Sequence, residues 1–310
     1  MLIDSIRRAL ESVGLSRRIA RGTPGQFLDR TYSDGVRNLS YKLYIPARIR
    51  GRRTSLLVML HGCGQTPEDF ATGTRMNDLA DEHGFLVIYP AQSAAANAFT
   101  CWNWFRGKDQ AREAGEPALI AGITREVALE HGVDATRTYI AGLSAGGAMA
   151  VVLGATYPDL FCAVGVHSGL PYRAAHDAAS AMVAMRGRTS LLDSAGVMHA
   201  MPTIVFHGDR DATVDVGNGS AIVDRAVSNA ERDVGPLRKA IREGISGDGR
   251  PYTATTYRAS RTASFVEYWV LHGAGHAWSG GFPEGSFTDA SGPDASAEMV
   301  RFFLGMRRRG

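Results

Sequence analysis

Short, continuously apolar segments that end at glycine are the feature that most constrains how this chain can fold. Residues 55–60 read Ser-Leu-Leu-Val-Met-Leu and lead into His-Gly-Cys-Gly at 61–64. An unbroken apolar run bounded by glycine is typical of a strand that is buried on both faces of a parallel sheet. Further runs of this kind lie at 85–89, 138–141, 161–166, 203–206 and 264–271.

Helical patterns follow several of these runs and complete the assignment of fold class. We expect helices at 67–83, 145–156 and 294–306. Two alternating segments, 26–32 and 39–45, precede the first apolar run and are joined by a Ser-Asp-Gly turn, so they predict an antiparallel hairpin. A hairpin followed by alternating strands and helices indicates an α/β fold, in which helices flank both faces of a mostly parallel central sheet.

The chain is predicted to form one catalytic domain at 26–310, preceded by a helical extension at 1–25. Apolar side chains recur at helical spacing among charged ones in this extension, which makes it amphipathic. Two long connections, near 91–118 and 169–200, follow strand ends and fit no strand. Open α/β sheets bind their ligands at that edge, so we predict that these rim insertions form pocket walls.

Charge and hydropathy argue against two kinds of partner. The 34 Lys and Arg residues face 31 Asp and Glu residues, a net charge of only +3, and the arginines are scattered, so no nucleic-acid partner is expected. No run reaches the roughly 18 apolar residues that a membrane span needs, so no integral membrane association is expected. An arginine-rich surface binder stays an alternative, and the sequence does not define the oligomeric state.

The three cysteines bear on the cellular compartment. An odd number of cysteines, with charged residues interrupting any secretion signal at the first positions, favours reduced thiols and a cytoplasmic location. A leader absent from this sequence would instead make the protein secreted or periplasmic. Cys63 and Cys101 both fall in segments that we assign to the rim of the site, so a disulfide between them stays open.

The sequence Gly-Leu-Ser-Ala-Gly at 142–146 carries the strongest chemical signal. An apolar strand precedes it, and a helix of small residues follows it. This context is that of the nucleophile elbow of α/β-hydrolases, a tight turn that exposes a serine hydroxyl at a helix N-terminus. We therefore predict that Ser144 is a catalytic nucleophile, which needs a base to remove its proton.

In the order typical of this fold, the acid and then the histidine follow the serine along the chain. Asp209, Asp211 and Asp215 all follow the apolar run at 203–206. We favour Asp211, because a loop residue a few positions beyond the strand can turn towards the histidine; Asp209 is next. His276 lies in a glycine-rich loop after the last strand and is the predicted base, with His272 as its rival.

Backbone donors and a pocket complete the predicted site. An oxyanion needs two donors, and we assign the backbone N–H groups of Cys63 and Ala145. Glu116 is interpreted as a helix cap, with positioning of the rim loop as the alternative. No metal-spaced ligands, phosphate loop or dinucleotide fingerprint occurs, so no metal and no cofactor are predicted. The predicted substrate-binding residues, for which loop packing is the alternative, are Trp102, Asn103, Trp104 and Trp278.

Six motifs occur in order along most of the chain. They are LHGCGQT at 60–66, CWNWF at 101–105, GLSAGG at 142–147, VHSGLPY at 166–172, HGDRDATV at 207–214 and GHAWSGG at 275–281. Together with GPDAS at 292–296 they resemble the poly(3-hydroxybutyrate) depolymerase family of esterases. Because the motifs span roughly residues 30–305, the resemblance covers nearly all of the predicted catalytic domain.

This resemblance implies a serine carboxylic-ester hydrolase of the α/β-hydrolase fold that acts on short-chain esters or hydroxyalkanoate (polyester) oligomers. The family also contains feruloyl and acetylxylan esterases, which are the alternative. A peptidase and a catalytically silent binding module are further alternatives. Nothing in the sequence resembles the linker and binding domain of depolymerases that attack solid polymer, which favours oligomers or small esters.

Overall fold

The computed structural model of the chain describes residues 25–49, 54–187, 199–259 and 264–308. The helical extension predicted at 1–25 lies outside the described residues except for Gly25. Residues 188–198 of the second predicted rim insertion also lie outside them.

Ten strands form one sheet. They are β1 (Gln26–Ser33), β2 (Asn38–Ile45), β3 (Thr54–Leu60), β4 (Leu86–Pro90), β5 (Val133–Leu143), β6 (Ala163–His167), β7 (Thr203–Gly208), β8 (Arg238–Ile245), β9 (Pro251–Arg258) and β10 (Ser264–Leu271). Their order is β1-β2-β4-β3-β5-β6-β7-β10-β9-β8, and the six neighbours from β4 to β10 pair in parallel. This confirms the mostly parallel central sheet. Two short strands, β11 (Trp278–Ser279) and β12 (Thr288–Asp289), pair separately.

An antiparallel hairpin closes each edge of the sheet. The hairpin of β1 and β2 confirms the predicted entry into the fold, and β2 then pairs antiparallel with β4. The hairpin of β8 and β9 at the other edge was not predicted. Almost every residue of β8 is exposed, so this strand carries no apolar pattern that could have revealed it.

Seven α-helices in the described part of the chain cover the two faces. They are α1 (Pro67–Thr74), α2 (Met76–His83), α3 (Gly115–Glu130), α4 (Ala145–Thr156), α5 (Ala178–Met185), α6 (Gly217–Val234) and α7 (Ala295–Leu304). One core cluster lies under α3, α4, α5 and α6, and a second lies under α1, α2 and α7. β3 contributes alternate residues to the two clusters, as expected of a strand buried on both faces. No described helix combines the length and the apolar character that crossing a membrane requires.

The single helix predicted at 67–83 is wrong, because two helices occupy this segment. Arg75 has a left-handed backbone (φ 51°), and its amide closes the end of α1 on the carbonyls of Ala71 and Thr72. The carbonyl of Arg75 then starts α2. The predicted helix at 145–156 is confirmed with the same bounds, and α7 confirms the one predicted near 294, where the Asp294 carboxylate caps it by accepting the Ala297 amide at 2.8 Å.

Candidate active site

Ser144 lies between β5 and α4 in a strained backbone conformation. Its φ of 57° and ψ of −120° are unusual for a residue with a side chain. The flanking glycines are required because the turn presses against the end of β3. A Cβ on Gly146 would lie 2.1 Å from the carbonyl oxygen of Leu60, and one on Gly142 would lie 2.4 Å from the carbonyl carbon of Gly146. Gly142 and Gly146 thus permit the close packing that holds Ser144 at the edge of the sheet.

Asp211 and His276 form a buried pair. Asp211 Oδ2 lies 2.7 Å from His276 Nδ1, and the Asp211 side chain is fully buried while that of His276 is 13% exposed. Asp211 Oδ1 accepts the amides of Thr213 and Val214 at 2.9 and 2.8 Å. This carboxylate therefore orients the imidazole with a proton on Nδ1, which leaves Nε2 free to accept one.

The pKa of Asp211 lies well below its ordinary range. Burial opposes ionisation, but hydrogen bonds from His207 and His276 and from the Val214 amide outweigh it. His207 Nε2 donates to the carbonyl of Val214 at 2.8 Å and lies 3.4 Å from Asp211 Oδ2. Because the pKa is lower in the folded than in the unfolded state, ionised Asp211 stabilises the fold above about pH 4. That contribution is lost as the pH falls further.

Asp209 and His272, the alternatives to Asp211 and His276, pair with each other. Asp209 Oδ2 lies 2.9 Å from His272 Nδ1, and their side chains are 34% and 42% exposed. Asp215, the third aspartate of this loop, accepts the Gly217 amide at 2.8 Å. The geometry thus separates a buried acid–histidine pair from an exposed one, and it favours Asp211 with His276 as the catalytic pair.

Sheet order brings the loops of the candidate triad to the same edge. Ser144 follows β5, Asp211 follows β7 and the loop of His276 follows β10, with β6 between β5 and β7. His167, at the end of β6, accepts the Ser144 amide on its carbonyl at 2.9 Å and the Ser279 amide on Nε2 at 3.1 Å. Burial lowers the pKa of His167 to about 3, so it stays neutral between the two loops. No hydrogen bond joins the Ser144 hydroxyl to His276, two residues that the structure describes; the bond that His276 makes is the one from Nδ1 to Asp211.

The loop after β3 supplies a candidate oxyanion donor. Three of the four backbone amides at 62–65 have acceptors. The Gly62 amide donates to Gln65 Oε1, the Gln65 amide donates to the Gly62 carbonyl, and the Gly64 amide donates to the Phe99 carbonyl. The amide of Cys63 has no acceptor within the described part of the chain. The amide of Ala145 belongs to the first turn of α4, where helical amides lack intrahelical partners. Among the residues that the structure describes, neither amide has a backbone or side-chain acceptor, so both remain candidate donors to developing negative charge.

A disulfide ties the oxyanion loop to the first rim insertion. Cys63 and Cys101 are bonded, and Cys162 is a buried free thiol. The expectation of reduced thiols is thus wrong for this pair. The Gly64 amide also donates to Thr100 Oγ1 at 3.1 Å, so the bridge is reinforced by hydrogen bonds on its exposed side.

Breaking the disulfide is expected to lower both stability and turnover. The bridge closes a 38-residue separation, for which loop entropy gives about 4 kcal/mol of stabilisation. The Cys63 amide loses its anchor, so we also expect a fall in kcat of about 10-fold. Urea unfolding and ester hydrolysis before and after reduction measure both effects. Reductant should not alter a Cys101→Ser variant further, and unchanged turnover after complete reduction would contradict the role of the bridge.

The structure places the four predicted substrate-binding residues in the interior. Trp102, Asn103, Trp104 and Trp278 are between 0 and 5% exposed. The indole N–H of Trp278 donates to Ser296 Oγ at 3.0 Å, and its ring stacks on His167 and contacts Phe70 edge-on. The indole N–H of Trp278 is therefore already bonded within the protein and does not face a substrate. The indole N–H of Trp102 is buried without an acceptor in the described residues.

Glu116 organises the rim loop, which is the alternative role stated for it. Its carboxylate accepts Gln92 Nε2 at 2.6 Å, Asn103 Nδ2 and, at 2.8 Å, the Asn103 amide. Burial and the nearby Asp109 carboxylate raise the pKa of Glu116. Gln92 also links the Glu116 carboxylate to the loop after β3, since the backbone amide of Gln92 donates to His61 Nε2 at 3.1 Å. No periodicity singles out Gln92, so sequence reasoning had no signal for it.

Asn103→Ala is expected to act on stability rather than on substrate affinity. The substitution removes the Asn103 Nδ2 donor from a buried carboxylate, which costs about 1–3 kcal/mol of unfolding free energy. Because the amide is 1% exposed, KM should change by less than about two-fold. Asn97→Ala removes two bonds on the outer side, from Asn97 Nδ2 to Asn103 Oδ1 and from the Phe99 amide to Asn97 Oδ1, and should cost less because neither leaves a buried carboxylate without a donor. A large rise in KM with unchanged stability would instead assign Asn103 to the substrate.

Metal ligands do not gather at this site. Within the described residues, no three His, Cys, Asp or Glu side chains cluster in a way that could hold a metal ion. The prediction that no cofactor is needed stays a prediction.

Comparison with known proteins places these motifs in a family. The model of the esterase PHB depolymerase family matches residues 39–240. Poly(3-hydroxyalkanoate) depolymerase C of Paucimonas lemoignei is 30% identical over 77% of this chain and 58% of its own length. Feruloyl esterase B of Neurospora crassa is 34% identical over 46% of this chain and 48% of its own length. The chain thus spans only about half to three fifths of these relatives.

One solved structure superposes on this chain over the whole length of that structure. The acetyl xylan esterase from Aspergillus awamori superposes with a TM-score of 0.71 at 18% identity, covering 91% of this chain and 100% of that one. A thermostable esterase superposes with a TM-score of 0.52 at 20% identity, covering 91% of this chain and 63% of the other. At these identities the likeness concerns the fold, and it confirms the predicted α/β-hydrolase architecture.

Proposed function

This chain belongs to the esterase PHB depolymerase family, and on that premise we propose that it hydrolyses carboxylic esters through an acyl-enzyme on Ser144. One observation carries the proposal: the buried Asp211–His276 pair lies at the sheet edge where a strained turn presents Ser144. This combination matches the requirements of a hydroxyl nucleophile with an oriented base. We assign the reaction to a single catalytic domain at 26–310.

In the proposed acylation step, His276 Nε2 takes the proton of the Ser144 hydroxyl as its oxygen attacks the ester carbonyl. Asp211 holds Nδ1–H and stabilises the imidazolium that forms. The amides of Cys63 and Ala145 bind the oxyanion of the tetrahedral intermediate. His276 then gives the proton to the leaving alcohol.

Deacylation repeats the same steps with water. His276 removes a proton from the attacking water, the oxyanion forms again between the two amides, and Ser144 leaves as the proton returns to its oxygen. Each step needs only the groups already described, since the proton shuttles on one imidazole. The product is the free acid, and the enzyme is regenerated.

As substrates we propose short-chain esters or hydroxyalkanoate oligomers. Support comes from the depolymerase relative, whose alignment covers 77% of this chain, against about half for the feruloyl and acetylxylan esterases. A feruloyl or acetylxylan ester is the second candidate, favoured by feruloyl esterase B of Neurospora crassa, which is 34% identical over 46% of this chain. The absence of a nucleic-acid partner remains part of the proposal.

Hydrolysis of p-nitrophenyl esters from acetate to palmitate tests this function, with hydroxybutyrate oligomers, methyl ferulate and acetylated xylan in parallel. We expect turnover that is greatest for short acyl chains and for hydroxybutyrate oligomers. Preference for methyl ferulate or acetylated xylan would select the second candidate. A folded protein that turns over none of these esters would refute the esterase and favour a silent binding module.

A further inference from the structure

A second hydroxyl–imidazole–carboxylate chain lies beside the candidate triad. Thr253 Oγ1 is 2.8 Å from His272 Nε2, and His272 Nδ1 is 2.9 Å from Asp209 Oδ2. Thr253 belongs to β9, in the edge hairpin that joins the parallel sheet through β10. We call these three residues the relay.

The relay has the connectivity of a catalytic triad but lacks the surroundings of one. Thr253 lies within a regular antiparallel strand between β8 and β10, whereas Ser144 lies at a strained turn next to a helix N-terminus. A strand uses its amides in the ladder, so it offers no pair of free donors to an oxyanion. The relay is therefore expected to have a role other than nucleophilic attack.

The relay joins the two loops that carry the candidate acid and base. Asp209 Oδ1 accepts the Gly273 amide at 2.6 Å, and the Asp209 amide donates to the Leu271 carbonyl at 3.1 Å. One residue further on, the Arg210 amide donates to the Ala274 carbonyl at 3.0 Å. Asp211 comes directly after Arg210, and His276 comes two residues after Ala274. Their separation is therefore set by bonds that centre on Asp209.

Arg250, in the turn before β9, anchors the same loop from the other side. Its Nη1 donates to the His272 carbonyl at 3.1 Å, while Nη2 contacts Asp289 Oδ2 at 2.9 Å and Ser291 Oγ at 2.7 Å. Asp289 lies in β12, which pairs with the strand that begins two residues after His276. The edge hairpin thus holds the chain both before and after the catalytic histidine.

We propose that Thr253, His272 and Asp209, together with Arg250, are positioning residues that set the orientation of the His276 imidazole towards Ser144 and Asp211. The inference rests on the proposed esterase function. A neutral His272 with its proton on Nδ1 satisfies both ends of the relay, because it donates to Asp209 and accepts from the Thr253 hydroxyl. Removal of the hydroxyl frees the imidazole to turn, which loosens the position of the Asp209 carboxylate that accepts the Gly273 amide.

The test compares Thr253→Val and Arg250→Met with matched controls. Thr255→Val removes a hydroxyl two residues along the same face of β9, and Arg242→Met removes an arginine of β8 that stacks on Tyr252 and Trp269. We expect Thr253→Val and Arg250→Met each to lower kcat about 10- to 100-fold with KM within two-fold, and to shift Tm by no more than about 4 °C. The controls should stay within two-fold of wild type in kcat. Thr253→Ser keeps a hydroxyl at this position and should therefore retain most of the wild-type activity.

A proton NMR measurement separates positioning from a general loss of stability. We expect the Nδ1 proton of His276, held against Asp211 at 2.7 Å, to resonate far downfield, and in Thr253→Val this signal should broaden or move, whereas in Thr255→Val it should not. An unchanged signal and unchanged kcat in an active enzyme would overturn the relay and leave the esterase intact. A perturbed signal in a protein without esterase activity would refute the esterase while supporting the relay. Fluorophosphonate labelling of Thr253 in a Ser144→Ala background would make the relay a second nucleophile and overturn positioning.

Discussion

Ser144→Ala is expected to lower kcat for ester hydrolysis by about 10⁴- to 10⁶-fold, with KM within about three-fold of wild type. Without the hydroxyl no acyl-enzyme forms, and any residual rate comes from the oxyanion donors and substrate binding. The protein should stay folded, since the bonds that Ser144 makes to the rest of the fold are backbone bonds: its amide donates to the His167 carbonyl at 2.9 Å, and its carbonyl accepts the Ala148 amide at 2.9 Å. Steady-state kinetics with p-nitrophenyl acetate and active-site titration with a fluorophosphonate measure the effect.

Ser168→Ala is the matched control for this result. Ser168 also follows a central strand, β6, and also has a positive φ, 51°, but its hydroxyl lies 3.3 Å from His167 Nδ1 in the interior. We expect a loss of less than about ten-fold and full labelling by the fluorophosphonate. If Ser144→Ala retained turnover and labelling while Ser168→Ala lost both, the elbow would have been assigned to the wrong serine.

The arrangement of the candidate site was more predictable from sequence than its walls were. Ser144 could be placed because its turn needs small neighbours, and the glycines at 142 and 146 record that need in the sequence. The choice of Asp211 over Asp209 followed from distance beyond the strand end. Asp209 and His272 directly continue the neighbouring strands β7 and β10, whereas the contact of Thr253 with His272 could not be predicted, because Thr253 lies on β9, whose partner strand β8 is exposed and has no apolar pattern.

The tryptophans illustrate a different limit. Their positions in loops after strand ends indicated pocket walls, but a loop side chain can turn inward as readily as outward. Trp278 is buried because Ser296 Oγ satisfies its N–H and His167 offers a ring face. These partners come from α7 and β6, far away in sequence, so no local pattern could reveal them. The disulfide stayed open for the same reason, since it joins loops after β3 and β4.

The choice of acid leads to the second large effect: Asp211→Asn is expected to lower kcat about 10⁴-fold. An amide nitrogen facing His276 favours the tautomer that carries its proton on Nε2, which cannot accept the Ser144 proton. Since the pKa of Asp211 lies well below its ordinary range, the wild-type carboxylate stays ionised at every pH at which His276 acts as a base. The loss should therefore persist from pH 6 to 8. Kinetics at several pH values measure it.

Comparison of the three aspartates in this loop makes the assignment decisive. Asp209→Asn disturbs the relay and the carboxylate that accepts the Gly273 amide, so a loss of about 10- to 100-fold is expected. Asp215→Asn, which alters an acceptor for the Gly217 amide, should stay within about three-fold. The order of losses follows from burial: Asp211 is fully buried against His276, whereas Asp209 is 34% exposed. If Asp209→Asn abolished activity while Asp211→Asn retained it, His272 rather than His276 would be the base, and Thr253 would then contact the catalytic histidine directly.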